Sequence, residues 1–224
     1  MGKHRAVSVG RNRLGGGVLL GAVASGALAV GALSSAGVAN ATCASFGGVG
    51  AGNGCNSSGT SFAVGLGPGT SASAQGTLNG ALSVGEGASS TAVGTANLAI
   101  ATGVGSSATA RGFGNLAFST GPGASATAGG GKGGEGEEGG DSGGTGNVAI
   151  ANGAGANATA LGTFSRAIVL GNGGKALAQG GTNNTALAIG PDTDATADGG
   201  NNRFALAFNP FSGGATAHNG INNG

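Results

Sequence analysis

The chain has 224 residues, of which 55 are Gly, 8% are charged, and none is Trp or Tyr. A formal net charge of +1 and the lack of stacking aromatics beyond Phe exclude nucleic acid as a partner. Two His and two Cys are all that the chain holds of those residue types, a thin inventory for acid–base, nucleophilic or metal chemistry.

Taken from the start, "MGKHRAVSVGRNR" places Lys3, Arg5, Arg11 and Arg13 in a positive leader, and an uncharged Ala/Val/Leu/Gly run follows. The run ends in Ala39-Asn40-Ala41, with small residues where a signal peptidase needs them. This layout predicts a secretory signal over 1–41, cleaved near Ala41–Thr42. A retained membrane anchor is the competing reading, disfavoured by the many glycines in the run. Arg11 and Arg13 are not adjacent, which argues against twin-arginine export. Four of the nine basic residues lie in the leader, so the remainder would carry five against eight acidic residues.

Cys43 and Cys55 follow at once, within a segment 42–60 that reads as an N-terminal cap. In an exported chain an isolated pair predicts one disulfide. Closing a loop of about a dozen residues contributes roughly 3 kcal/mol in the chain-entropy model. Two thiols without a neighbouring His or carboxylate are too few for a metal site.

From residue 61 the chain repeats itself. Ala74, Ala92, Ala110, Ala128, Ala160, Ala178, Ala197 and Ala217 are separated by 18, 18, 18, 32, 18, 19 and 20 residues. Glycines recur at fixed offsets on both sides, as at Gly67, Gly85 and Gly103 before the alanine pairs and Gly76, Gly94, Gly112 and Gly130 after them. Each unit splits into nine-residue halves such as "NLAIATGVG" and "SSATARGFG", which alternate and then turn on glycine. Alternation with glycine turns predicts strand–turn–strand–turn, and nothing carries helical periodicity. Bulky residues do not recur every six, so a triangular coil gives way to a flattened roll. The expected fold is therefore all-β, a parallel β-solenoid of two sheets and about eight coils, roughly 40 Å long at strand spacing.

The bulky column Val64, Leu82, Ile100, Phe118, Ile150, Ile168, Leu187 and Leu206 is expected to point inward. There it would face the alanines of the opposite sheet, each residue contributing roughly 1.5–3 kcal/mol. The step of 32 exceeds the period by residues 131–144, "GKGGEGEEGGDSGG", a polar insertion that reads as a solvated loop rather than a cation site. It divides the coils into 61–130 and 145–203. Residues 204–224 read as a last coil and cap, with Phe204, Phe208 and Phe211 as its apolar closure.

The nine-residue unit resembles the RTX β-roll, which implies 18 residues per coil and calcium held by an Asp after each G-x-G. The matching positions here are Ser106, Ala124, Ala156 and Gly174, so the calcium ladder does not carry over. "SATA", "LAIA" and "TAVG" are similar to units of the YadA-like heads of trimeric adhesins, without their stalk heptads or terminal membrane strand. The layout of signal, two close cysteines and Gly/Ala/Thr repeats resembles secreted repeat proteins of mycobacteria and related actinobacteria, which implies export and brings no activity with it.

Candidate chemistry is sparse. "GVGSSA" (Gly103 to Ala108) fits a dinucleotide fingerprint but opens no helix, and "GNGGKA" (Gly171 to Ala176) lacks the Ser or Thr of a phosphate loop. His218 is the only His beyond the leader, and no serine has a partner in sequence, so no enzyme, cofactor or small-molecule substrate is expected. Asp192 and Asp194 are a weak calcium candidate, weighed against ordinary Asx turns. Ser73, Thr91, Thr109, Thr127, Thr159, Leu177, Thr196 and Thr216 stand between paired alanines and are expected to form an outward ladder. Such a ladder could meet ice or a polysaccharide, although Thr also suits any exposed strand. The expectation is a secreted, non-enzymatic structural or interaction protein, at the cell wall or in the medium. Its partner classes are envelope polysaccharide, another protein, or its own copies side to side or end to end.

Overall fold

The computed structural model describes residues 42–130, 143–210, 215–219 and 221–223. The expected signal (1–41), most of the 131–144 insertion and Phe211 lie outside the described residues. The described chain begins with strands β1 (Thr42–Phe46), β2 (Val49–Ala51), β3 (Cys55–Ser57), β4 (Phe62–Leu66) and β5 (Ser71–Thr77). It continues through β6 (Gly80–Val84), β7 (Ser89–Thr95), β8 (Leu98–Thr102), β9 (Ser107–Phe113), β10 (Leu116–Thr120) and β11 (Ser125–Ala128). After the insertion come β12 (Val148–Asn152), β13 (Asn157–Ala160), β14 (Arg166–Leu170), β15 (Lys175–Ala178), β16 (Thr185–Ile189) and β17 (Thr193–Ala197). The last are β18 (Phe204–Phe208), β19 (Ala215–His218) and β20 (Ile221–Asn223).

From β3 onward successive strands alternate between two sheets, and each pairs in parallel with its counterpart one coil away. The first sheet, A, runs β2-β1-β4-β6-β8-β10-β12-β14-β16-β18-β20, and the second, B, runs β19-β17-β15-β13-β11-β9-β7-β5-β3. This is the two-sheet parallel roll that the 18-residue spacing predicts, with Ile100 beside Leu82 and Phe118, and Thr109 beside Thr91 and Thr127. The glycines that recur at the corners have positive φ, as at Gly85 (116°), Gly103 (121°) and Gly121 (114°), a region closed to most side chains. Gly144 rather than Gly130 continues the later glycine column, since Asn115 Nδ2 and Phe113 N–H both donate to its carbonyl.

The interior departs from expectation. The inward columns are small: Ala63–Ala81–Ala99–Ala117 and Ser83–Ala101–Ser119–Ala151 in sheet A, the Ala72 and Ala74 columns in sheet B, and Ala88–Ser106–Ala124–Ala156 at the turn before it. The alanines of these columns are at most 2% exposed. Alanine meets alanine, and few branched side chains are buried: Val169, which reaches over Gly174, and Thr70 and Thr193, whose Oγ1 atoms donate to the carbonyls of Gly67 and Gly190. The bulky column Val64, Leu82, Ile100, Phe118, Ile150, Ile168, Leu187 and Leu206 therefore lies outward and half-buried, not inward. Alternation alone has two solutions that differ by one residue, and the small residues occupy the core-facing set.

A second feature closes the corner that leads into sheet A. Asn79, Asn97, Asn115, Asn147 and Asn184 are buried, and the first four relay hydrogen bonds from coil to coil. Asn97 donates its backbone N–H and Nδ2 to Asn79 Oδ1 (2.9 and 3.1 Å), and Nδ2 also donates to Val93 O (2.8 Å) and Gly112 O (2.6 Å). Its own Oδ1 then accepts the N–H and Nδ2 of Asn115. Each amide is satisfied, as a buried polar group must be. Ser165 takes the next rung, and its N–H donates to Asn147 Oδ1 while its Oγ has no partner.

The N-terminal cap has the stapled form expected of it. Cys43 and Cys55 are disulfide-bonded, joining β1 in sheet A to β3 in sheet B. β1 runs antiparallel to both β2 and β4, so a hairpin covers the first parallel rung. Gly65 makes room beneath: a Cβ there would lie 2.7 Å from Cys43 Sγ and 3.3 Å from Cys55 Sγ. The expected C-terminal closure differs. Phe204–Phe208 is an ordinary parallel rung between β16 and β20, with Phe204 and Phe208 on its exterior.

Candidate interaction faces

The strand alternation that buries alanine on both sheets also presents two exteriors. On sheet B, Ser73, Thr91, Thr109, Thr127, Thr159, Leu177 and Thr196 form one continuous outward column, in register from β5 to β17. All are half-buried by their neighbours on the sheet. Ser71, Ser89, Ser107, Ser125, Asn157, Lys175 and Asp194 make a parallel column beside it. The last coil breaks the expected ladder. Thr196 pairs with His218, and Thr216 lies beside Asp194, because β19 sits two residues further along than the spacing of its alanines implies.

The aspartates do not assemble as a shared ligand set. Asp192 is exposed at a turn with φ of 52°, whereas Asp194 belongs to the outer face of β17 beside Lys175. Asp198 Oδ2 accepts from Gln179 Nε2 at 3.2 Å. Among the described residues no group of three or more His, Cys, Asp or Glu side chains could hold a metal. The positions matching the RTX aspartate are interior: Ser106, Ala124 and Ala156 are buried, and Ser106 Oγ donates to Gly103 O at 3.0 Å. Gly103 and Gly171 stand at strand turns and open no helix.

Sheet A carries the exterior that sequence reasoning missed. Its middle column is the half-buried series from Val64 to Leu206, and further apolar residues flank it on both sides. On one flank stand Phe62, Leu98, Leu116, Val148 and Phe204, interrupted by Gly80, Arg166 and Thr185, and on the other Leu66, Val84, Leu170, Ile189 and Phe208, interrupted by Thr102, Thr120 and Asn152. Phe62 and Phe204 are each 45% exposed, and Leu170 is 43% exposed. Arg166 is the one charged residue in these three columns between β4 and β18. The signal was available: strands with three bulky positions, Phe62–Val64–Leu66 and Phe204–Leu206–Phe208, cannot turn them all toward a core lined by alanine.

A scan against protein-family models finds no match, and searches of curated proteins and of solved structures find no significant match either.

Proposed function

We propose that the chain is an exported, non-enzymatic β-solenoid that acts as a structural or interaction protein of the cell surface or envelope. The observation that carries this reading is its exterior. Side chains of one kind are repeated rung after rung over flat faces, an arrangement suited to extended surfaces rather than to a substrate held among converging groups. The Cys43–Cys55 disulfide supports an oxidising compartment. Fractionation of producing cells tests the reading. Retention in the wall fraction supports a structural role, and recovery from the medium supports a free binder. Recovery from the cytosol with reduced cysteines would overturn both.

The in-register Thr column on sheet B favours one alternative, a surface-binding module for ice or carbohydrate. Parallel strands repeat that column about every 4.8 Å, a spacing at which a periodic ligand could engage several rungs at once. Thermal hysteresis and binding to insoluble polysaccharide are its assays, with Thr109→Lys as the comparison. Equal signals from the two proteins would end the idea.

A further inference from the structure

We infer that the apolar exterior of sheet A is the interface of a homodimer, covered face to face by the same sheet of a second copy of this chain. This stands whether or not the protein is exported. The face is built from outward residues such as Leu98, Ile100, Leu116, Phe118, Ile150 and Ile168, which run in register along parallel strands. Nine strands from β1 to β18 at about 4.8 Å, each about five residues long, give a patch roughly 40 Å by 16 Å. That is about 650 Å² in projection for the whole face, of which Thr102, Thr120, Asn152, Arg166 and Thr185 form the polar minority, and the apolar remainder is comparable to the largest apolar patch that an ordinary monomer leaves in water. Two such patches pressed together remove about 1,300 Å², which reaches the range of specific, stable interfaces.

The occupant follows from shape, charge and period. A second copy offers the same apolar composition and the same rung spacing, so outward columns of one sheet can settle between those of the other. Two sheets stacked in this way lie about 10 Å apart, as in any sandwich. An interface that joins one patch to itself is isologous and closes at two copies. Charge does not direct the face toward another macromolecule. Arg166, the single cation, occupies a flanking column, where its long stem can lie along apolar surface with the guanidinium at the rim. A bilayer-binding face would want Trp or Tyr at its border or a basic cluster beside it, and the chain has neither Trp nor Tyr.

The test is the mass in solution of the protein produced with its own leader, measured by light scattering across a dilution series. Twice the chain mass is expected. Ile100→Lys, at the centre of the face, should halve that mass while leaving the far-ultraviolet spectrum of the roll intact. Thr109→Lys on the opposite exterior should leave the dimer whole. Should Ile100→Lys fail to fold, Leu116→Gln on the flanking column makes the same measurement with a milder change. A wild-type protein of single-chain mass at every concentration overturns the inference, whether the face is then bare or covered by residues 14–38. A dimer indifferent to substitutions on sheet A, or lost equally through Thr109→Lys, overturns it as well.

Discussion

The outer faces of sheets A and B share nearly everything except chemistry. Both are parallel and built on rungs of the same period, and both cover an interior lined by alanine and serine. Yet one presents Ile100 and Phe118 where the other presents Thr109 and Thr127. The fold constrains only what points inward and what turns the corners. Ala101 and Ala110 are held small by their burial between the sheets, Asn97 by the five hydrogen bonds of its carboxamide, and Gly103 by its positive φ. The outward columns carry no such burden, so they are where two different jobs can be written onto one backbone.

Substitutions in what the two sheets have in common should cost the most stability. Asn97→Ala should have the largest effect, about 3 kcal/mol, because it strips Asn115 of its acceptor and leaves Val93 O and Gly112 O short of a donor. Denaturant melts of the monomeric fold would measure it. Ala110→Leu on the inner side of sheet B should cost about 2 kcal/mol through overpacking. An unchanged midpoint would place that column outside and dissolve the distinction between lining and exterior.

Two buried serines sharpen the point at smaller scale. Ser83 Oγ lies 2.7 Å from Ser90 Oγ and donates to Ser71 O, so Ser83→Ala should cost about 1 kcal/mol. Ser119 Oγ is buried without a partner between Ala101 and Ala151, so Ser119→Ala should instead stabilise by up to about 1 kcal/mol. Thr109→Ile rewrites the exterior of sheet B toward that of sheet A. Its effect on the melting midpoint should stay within about 0.5 kcal/mol, while binding of a hydrophobic dye rises.

The period, the two sheets, the parallel pairing and the stapled cap were legible because glycine at fixed spacing and alternation between turns leave few other solutions. Which side of each strand faces in was legible for sheet B and not for sheet A. At Ala108–Thr109–Ala110 the small residues flank a polar one, so polarity and size give the same answer. At Leu98–Ala99–Ile100–Ala101 they conflict, since burying Ile100 would bury the larger apolar area. The alanine columns of sheet B settle the conflict, because they leave too thin a gap for Ile. The asparagines at 79, 97 and 115 stand one period apart in plain view, but an Asn before a strand has the composition of any turn. The last coil misled for another reason. "ATAH" offers an alternating pattern at two offsets, and β19 takes the one that sets Ala217, not Ala215, beside Ala195. Of the candidate site, the threonine column was visible as a spacing, whereas the apolar exterior followed only from knowing what the core had refused.

The amide relay at the corner has a direction and an end. Each carboxamide oxygen is fully used only once the following coil has arrived, so every completed turn prepares the seat for the next. At Ser165 a hydroxyl stands where a carboxamide would, and the handover stops. Coils on either side of that gap are tied by backbone ladders alone along this edge. Slow hydrogen exchange should accordingly divide the rod there, with amides from β14 onward opening before those of the coils nearer the staple.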